Sequence, residues 1–195
     1  MPRALTEQEK CRLCNRLLEK GKAVVLTQGI RKVSVDDITK AAGMAKGSFY
    51  QHFESKEKYL FALVEDVTRQ IFAQAEQMIL GVDDIRASLR GFLTDLFQMP
   101  EMTFFAKNFH EIAALFDPEL NPDAQSALQS ETVMFEKLLQ LMGIDIQKVR
   151  PGVVHNYMHI LSWMQGSDCI VRDDLSQTFD VLMDSLAAYL AGGGV

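Results

Sequence analysis

Lys46-Gly47-Ser48 puts a cation, a bare backbone and a hydroxyl side by side where a predicted helix begins. The first turn of a helix carries unpaired N–H groups and a partial positive charge, so it favours anions. A lysine and a serine there can take phosphate oxygens and base edges, and a glycine lets another backbone come close. That chemistry is nucleic-acid recognition. His155 and His159 form a second constellation, because at i, i+4 on a helix both rings point to one side, as metal ligands do. Asn156 stands where a zinc protease would carry its glutamate base, so no metal is expected and the pair reads as the wall of a small-molecule cavity. Cys11-x-x-Cys14 has half the spacing of a zinc site, but no second pair follows. With Cys169 the thiol count is odd, which suits reduced cysteines. No Ser-His-Asp or Cys-His order and no phosphate-cradling glycine loop is present, so neither catalysis nor a cofactor is expected.

These side chains need helices to hold them, and the apolar spacing supplies helices throughout. Leu60, Val64, Val67, Ile71, Ala75 and Met78 make one continuous stripe at intervals of three and four. The same period returns in Leu89, Phe92, Leu93 and Leu96, and again in Phe179, Leu182, Met183, Leu186 and Leu190. Strand-like alternation is missing. The breaks fall at helix ends: Gly29 closes a first helix that starts near Thr6, and Ser34 with Asp37 opens a second in a capping-box arrangement. Gly43 ends that helix, and Ser55 caps a long one reaching about Leu80. Further helices are predicted over about 83–98, 101–116, 122–142, 147–170 and 174–191, with Pro100, Pro118 and Pro122 at their junctions. The expectation is an all-α fold of about nine helices. Val35–Ala42 and Lys46–His52, joined through Gly43, read as a helix-turn-helix.

Charge divides the chain in the same place. Residues 1–60 hold 12 Lys and Arg against 7 Asp and Glu, a net +5, whereas residues 61–195 hold 8 against 19, a net −11. A basic end on an acidic body suggests that one end meets a polyanion. The 195 residues, 48% hydrophobic, can bury a substantial core. No apolar run long enough for a membrane occurs, and MPRALTEQEK holds no apolar leader, so a cytoplasmic protein is expected.

The stretch SVDDITKAAGMAKGSFYQHFESKEKYLFALVED resembles the DNA-binding signature of the tetracycline-repressor (TetR) family of transcriptional regulators. The resemblance rests on Ile-x-x-x-Ala-Gly, Lys-Gly-Ser-Phe-Tyr, Tyr-x-x-Phe and Ser-Lys-Glu, and runs from roughly Val25 to Val67. It implies that residues 1–54 form a three-helix DNA-binding domain and residues 55–195 a larger helical domain for ligand binding and dimerisation. It also implies that Ser34 caps the second helix and touches a phosphate, and that Lys46, Gly47 and Ser48 face DNA. Tyr50 would give its hydroxyl to a phosphate, Gln51 and His52 would meet bases or backbone, and Lys56 would meet the backbone. Phe49 and Phe53 would pack the core. One position departs from the pattern: Ala45 stands where the family often has Ser or Thr, and the missing cap oxygen costs the helix about 1 kcal/mol.

The partners implied are double-stranded operator DNA, a small-molecule effector and a second copy of the chain, joined through the last two helices of each subunit, with no membrane involved. Phe105, Phe109, His110, Met134, His155, His159 and Trp163 are the candidate lining of the effector cavity. His155, His159 and Trp163 lie within about 80° of one another on their helix, while Val154, Tyr157, Met158, Leu161 and Met164 form the packing side. The expected function is that of a ligand-released repressor. The alternative is a helical small-molecule-binding protein or enzyme with a vestigial DNA-binding end, which would bind no operator.

Overall fold

The computed structural model describes residues 6–85, 88–119 and 121–192. Ten α-helices follow one another: α1 Glu7–Gln28, α2 Val35–Ala42, α3 Lys46–Phe49, α4 Lys56–Leu80, α5 Leu89–Phe97, α6 Pro100–Lys107, α7 Phe109–Leu115, α8 Ala124–Leu141, α9 Pro151–Gly166 and α10 Leu175–Leu190. A 3₁₀ turn over Arg172–Asp174 precedes α10, and no strand occurs among the described residues. Among the described residues, no helix is long and apolar enough to cross a membrane.

The caps read from the sequence explain where the early helices start and stop. Thr6 and Glu9 bond each other's backbone at the head of α1, and Ser34 and Asp37 do the same at α2. The Ser55 hydroxyl accepts the Lys58 N–H at 3.1 Å and so opens α4. Gly43 turns α2 into α3 in the left-handed conformation, φ 63° and ψ 38°, which a side chain would resist. Ala45 has the extended backbone of an N-cap but makes no side-chain cap bond.

α1 to α3 close around the start of α4 through aromatic packing. Phe49, Phe53 and Tyr59 are buried with ring centroids 5.1 to 5.6 Å apart. The Tyr59 hydroxyl donates to the Leu17 carbonyl at 3.0 Å. Gly21 makes room for that phenol, since a Cβ there would lie 2.0 Å from the Tyr59 oxygen. A glycine inside a helix costs about 0.5–1 kcal/mol against alanine, and here the cost secures a close contact between helices.

The predicted helix over 101–116 is two helices, which is why ten replace nine. Asn108 breaks it with φ −117° and ψ 22°. Its side-chain amide donates to the Phe104 carbonyl at 2.9 Å, and its Oδ1 accepts the Ile30 N–H at 2.9 Å. A residue whose side chain competes for backbone groups is a natural point for a helix to stop. The helix expected over 83–98 begins only at Leu89, and that over 147–170 is trimmed to Pro151–Gly166, with Pro151 in its first turn.

Candidate nucleic-acid interface and effector cavity

The short helix α3 and its flanks present the first candidate surface. Ser34, Lys46, Gly47, Tyr50 and Gln51 are exposed, and a Cβ on Gly47 would meet nothing within 4 Å. Tyr50 is 52% exposed, its ring set edge-on against buried Phe49 with centroids 5.3 Å apart. The hydroxyl therefore stands on a platform fixed by the core. Lys46 pairs with Asp36 at 3.1 Å across the turn, and the Ser34 hydroxyl is held by Asp37 at 2.6 Å. The remaining three candidates sit lower. Ser48 is half-buried, Lys56 donates to the Val33 carbonyl at 3.0 Å, and His52 keeps a buried Nε2 with no hydrogen-bond partner. α3 proper is a single turn, and Tyr50 to His52 continue it as a turn closed by the His52 N–H on the Phe49 carbonyl.

The second candidate site is an apolar cavity of about 140 Å³ between α4, α5, α6, α7, α8 and α9. Val64, Ile71, Phe105, Phe109, Phe135 and Met158 supply its walls; Thr68, Glu131, His159 and Ser162 are its polar groups. Phe105, Phe109 and His159 are thus brought together as read from the sequence. His155 stands beside them, stacked on Phe135 (centroids 5.8 Å, planes at 26°) and 4.3 Å from the His159 ring. Burial pushes the His155 imidazole below its ordinary value, against the pull of Glu131 and with the His159 charge in the same direction as burial. Ligand atoms of Glu131, His155 and His159 all lie within 4.8 Å of one another.

His110, Met134 and Trp163 do not line the cavity. His110 is exposed, and Met134 and Trp163 are half-buried, Trp163 against the hydrophobic core. The reason is angular. The cavity-facing arc of α9 runs through Met158, His159 and Ser162, and Trp163 lies about 90° from its centre at 100° per residue. Met158, expected on the packing side, is a wall residue instead. A wider depression of about 540 Å³ lies between α5 and α10, where Arg90 is already paired with Asp180 and Asp184.

Residues 17–63 match the bacterial regulatory proteins of the tetR family. Over those residues the chain carries a TetR-type DNA-binding region. It is 26% identical over 104 residues to the HTH-type transcriptional repressor KstR2 of Rhodococcus jostii, covering 53% of this chain and 48% of that protein. It is 56% identical over 43 residues to the repressor DhaR of a Mycobacterium species, 22% of each chain. The chain thus spans about half or less of the length of these curated relatives. A TetR-family regulator structure from a Rhodococcus species covers 91% of this chain and 99% of its own, with a TM-score of 0.60 at 18% identity. The TetR-type fold therefore extends over the body as well as the helix-turn-helix, although sequence identity is concentrated at one end.

Sequence reasoning missed Glu131 and Thr68 among the polar groups of this cavity. Ser162 was within sight as a hydroxyl beside the histidine pair. Glu131 carried no such signal, because it reaches the pair from α8, far off in the chain.

Proposed function

We propose that this chain is a ligand-responsive transcriptional repressor rather than an enzyme, working as a homodimer on double-stranded operator DNA. Residues 1–54 read the operator, and residues 55–195 dimerise and take a small-molecule effector. Lys46, Gly47 and Ser48 face the major groove, Tyr50 and Ser34 meet phosphates, and Gln51 reaches the bases. His52 and Lys56 support this surface from beneath. The curated relatives are themselves transcriptional repressors.

The observation that carries the ligand-responsive part is Asn108. It lies between two cavity walls, Phe105 and Phe109, and holds the Ile30 N–H just ahead of α2. A ligand that spreads α6 and α7 therefore pulls on the anchor of the helix-turn-helix. It shifts DNA affinity only if it binds the two arrangements with different strength. A cavity of about 140 Å³ is close to the roughly 150 Å³ engineered void that accepts benzene. In this arrangement the effector is an apolar molecule of about one ring, with a polar group for Ser162, His159 or Glu131.

The dimer reading has its own support on the last two helices. Ile160 on α9 and Val181 on α10 are 50% and 61% exposed, and covering such groups is favourable by about 25 cal/mol per Å². Two copies related by two-fold symmetry call for a near-palindrome, in the simplest arrangement with half-site centres about 34–36 Å apart. Selection of binding sequences from a random DNA pool tests this directly. The expected product is a near-palindrome whose affinity falls steeply with salt, since each phosphate contact releases counterion. A monomer at working concentration, or affinity indifferent to salt, would sink the reading.

A further inference from the structure

The polar end of the cavity gathers metal-ligating side chains from two helices, and we propose that Glu131, His155 and His159 bind a divalent first-row cation, zinc above all. The three donors lie within 4.8 Å of one another. An ion at the centre of such a triangle is therefore about 2.8 Å or less from each, against zinc bonds of roughly 2.0–2.2 Å. Closing that gap takes at most about 0.6–0.8 Å per donor, a shift that small rotations of the three side chains supply. The nearest approach of Glu131 to His159, 3.8 Å, is too long for a hydrogen bond. Glu131 and His159 attract each other when the imidazole is protonated, but no hydrogen bond holds them together.

The site is supported from two helices. His155 and His159 sit one turn apart on α9, and Glu131 faces them from α8. Phe135 stacks on His155, and Phe109 meets His159 edge-on with centroids 6.2 Å apart. The imidazoles are thus oriented by packing before any ion arrives, as an accurate site requires. Two imidazoles and one carboxylate suit zinc and its neighbours, whereas magnesium and calcium prefer oxygen ligands throughout. Three protein ligands leave one position open. Glu131 and His159 line the cavity, so that position faces it and would accept a coordinating oxygen, nitrogen or sulfur of a bound molecule.

The sequence alone suggested no metal here, because Asn156 stands where a zinc protease carries its glutamate. Cys11, Cys14 and Cys169 are free and could capture the same ions, so the test begins with the full chain carrying serine at those three positions. Cobalt(II) is titrated in, followed by competition with zinc. The expected result is one equivalent per chain, visible ligand-field bands and no thiolate charge-transfer band. His155→Ala, His159→Ala and the isosteric Glu131→Gln should each weaken uptake at least about tenfold, the loss that even outer-shell changes cause. Absence of stoichiometric uptake, or uptake that all folded variants retain, would overturn the proposal. Glu131→Gln preserves shape and keeps the test decisive should His155→Ala unfold the packing on Phe135. Uptake is read without DNA, so its failure would leave the repressor reading standing.

Discussion

The helix-turn-helix end and the cavity-bearing body are built from the same apolar helical repeat, yet they differ in how far along the chain their working residues lie. Between Ser34 and Ser55 every feature is local: a capping box, a glycine turn, an exposed Lys46-Gly47 pair and a tyrosine braced on its neighbour. In the body, six helices contribute between one and five residues each to one cavity. The first arrangement is stated by neighbours in the chain, the second only by packing. Charge follows the same division, at +5 and −11, so the end with local logic is also the end suited to a polyanion.

If the two regions are separable, damage to one core should leave the other standing. Phe49 is completely buried against Tyr50, Phe53 and Tyr59. Phe49→Ala should cost about 3–5 kcal/mol, as for other large core truncations. Trp163, the single tryptophan, lies in α9 and reports on the body. The expected outcome is an early loss of helical circular dichroism, with the Trp163 fluorescence transition nearly unmoved. Coincident transitions would mean one cooperative unit and would break the comparison.

The regions are nonetheless tied together, and one tie is ionic. Lys22 on α1 donates to Gln70 on α4 at 2.6 Å and to Glu101 on α6 at 2.8 Å. Side-chain exposures of 18% for Lys22 and 12% for Glu101 put this pair largely out of water. Burial raises the Glu101 carboxyl, but the Lys22 hydrogen bond, its own backbone N–H and the Lys22 charge outweigh that and leave it below the ordinary value. A depressed carboxyl stabilises the fold above its unfolded pKa, and that contribution is lost as pH falls through the folded one. Glu101→Gln should therefore cost about 1.5–3 kcal/mol at neutral pH. Denaturant midpoints of the two proteins should start to approach each other as pH falls through the ordinary carboxyl value of 4.5 and meet below the depressed folded one. A gap that persists in acid would mean that packing, rather than charge, ties α1 to α6.

Much of the fold was legible because caps and periods are local. The starts of α1, α2 and α4 were read from Thr6, Ser34 and Ser55, and the end of α2 from Gly43. What escaped needed a partner from elsewhere. Asn108 splits one predicted helix because its amide bonds Ile30, and nothing near Asn108 announces that. The cavity follows the same rule. Phe105, Phe109 and His159 were found from residue type and helix face, while Glu131 reaches His159 only across α8 and α9. Trp163 was misplaced because a helical wheel gives relative angles without saying where the neighbouring helices lie.

On the exposed side the comparison sharpens into function without stability. Tyr50→Phe keeps the ring on Phe49 and removes one hydroxyl that is open to solvent. It should weaken operator binding by up to about 1.5–3 kcal/mol, the worth of a hydrogen bond to a charged group. The melting temperature should stay unchanged. Lys46→Ala should relax sequence preference if Lys46 reads a base edge in the major groove, and weaken specific and non-specific DNA alike if it meets a phosphate, which carries no sequence information. Fluorescence anisotropy on both kinds of DNA at two salt concentrations reads the difference. Unchanged affinity in both variants would move the recognition surface away from α3.

The smallest effect tests how far local rules alone govern this end. Ala45 holds the backbone of a helix N-cap, φ −75° and ψ 148°, without the oxygen that would make it one. Its neighbours already have the geometry, and the residue is exposed, so a serine hydroxyl could turn onto an N–H of the first turn without displacing anything. Ala45→Ser should therefore stabilise the fold by about 0.5–1 kcal/mol, the low end of measured cap contributions. That low end is the right choice because α3 is a single turn and has few helical bonds for a cap to reinforce. The sign separates two accounts of this stretch. If caps decide stability here as they decide helix starts, the serine variant melts later by circular dichroism. If Phe49 and Tyr59 already fix α3 from below, the hydroxyl adds nothing and the melting curve does not move. An unmoved curve would assign even this most local part of the molecule to packing.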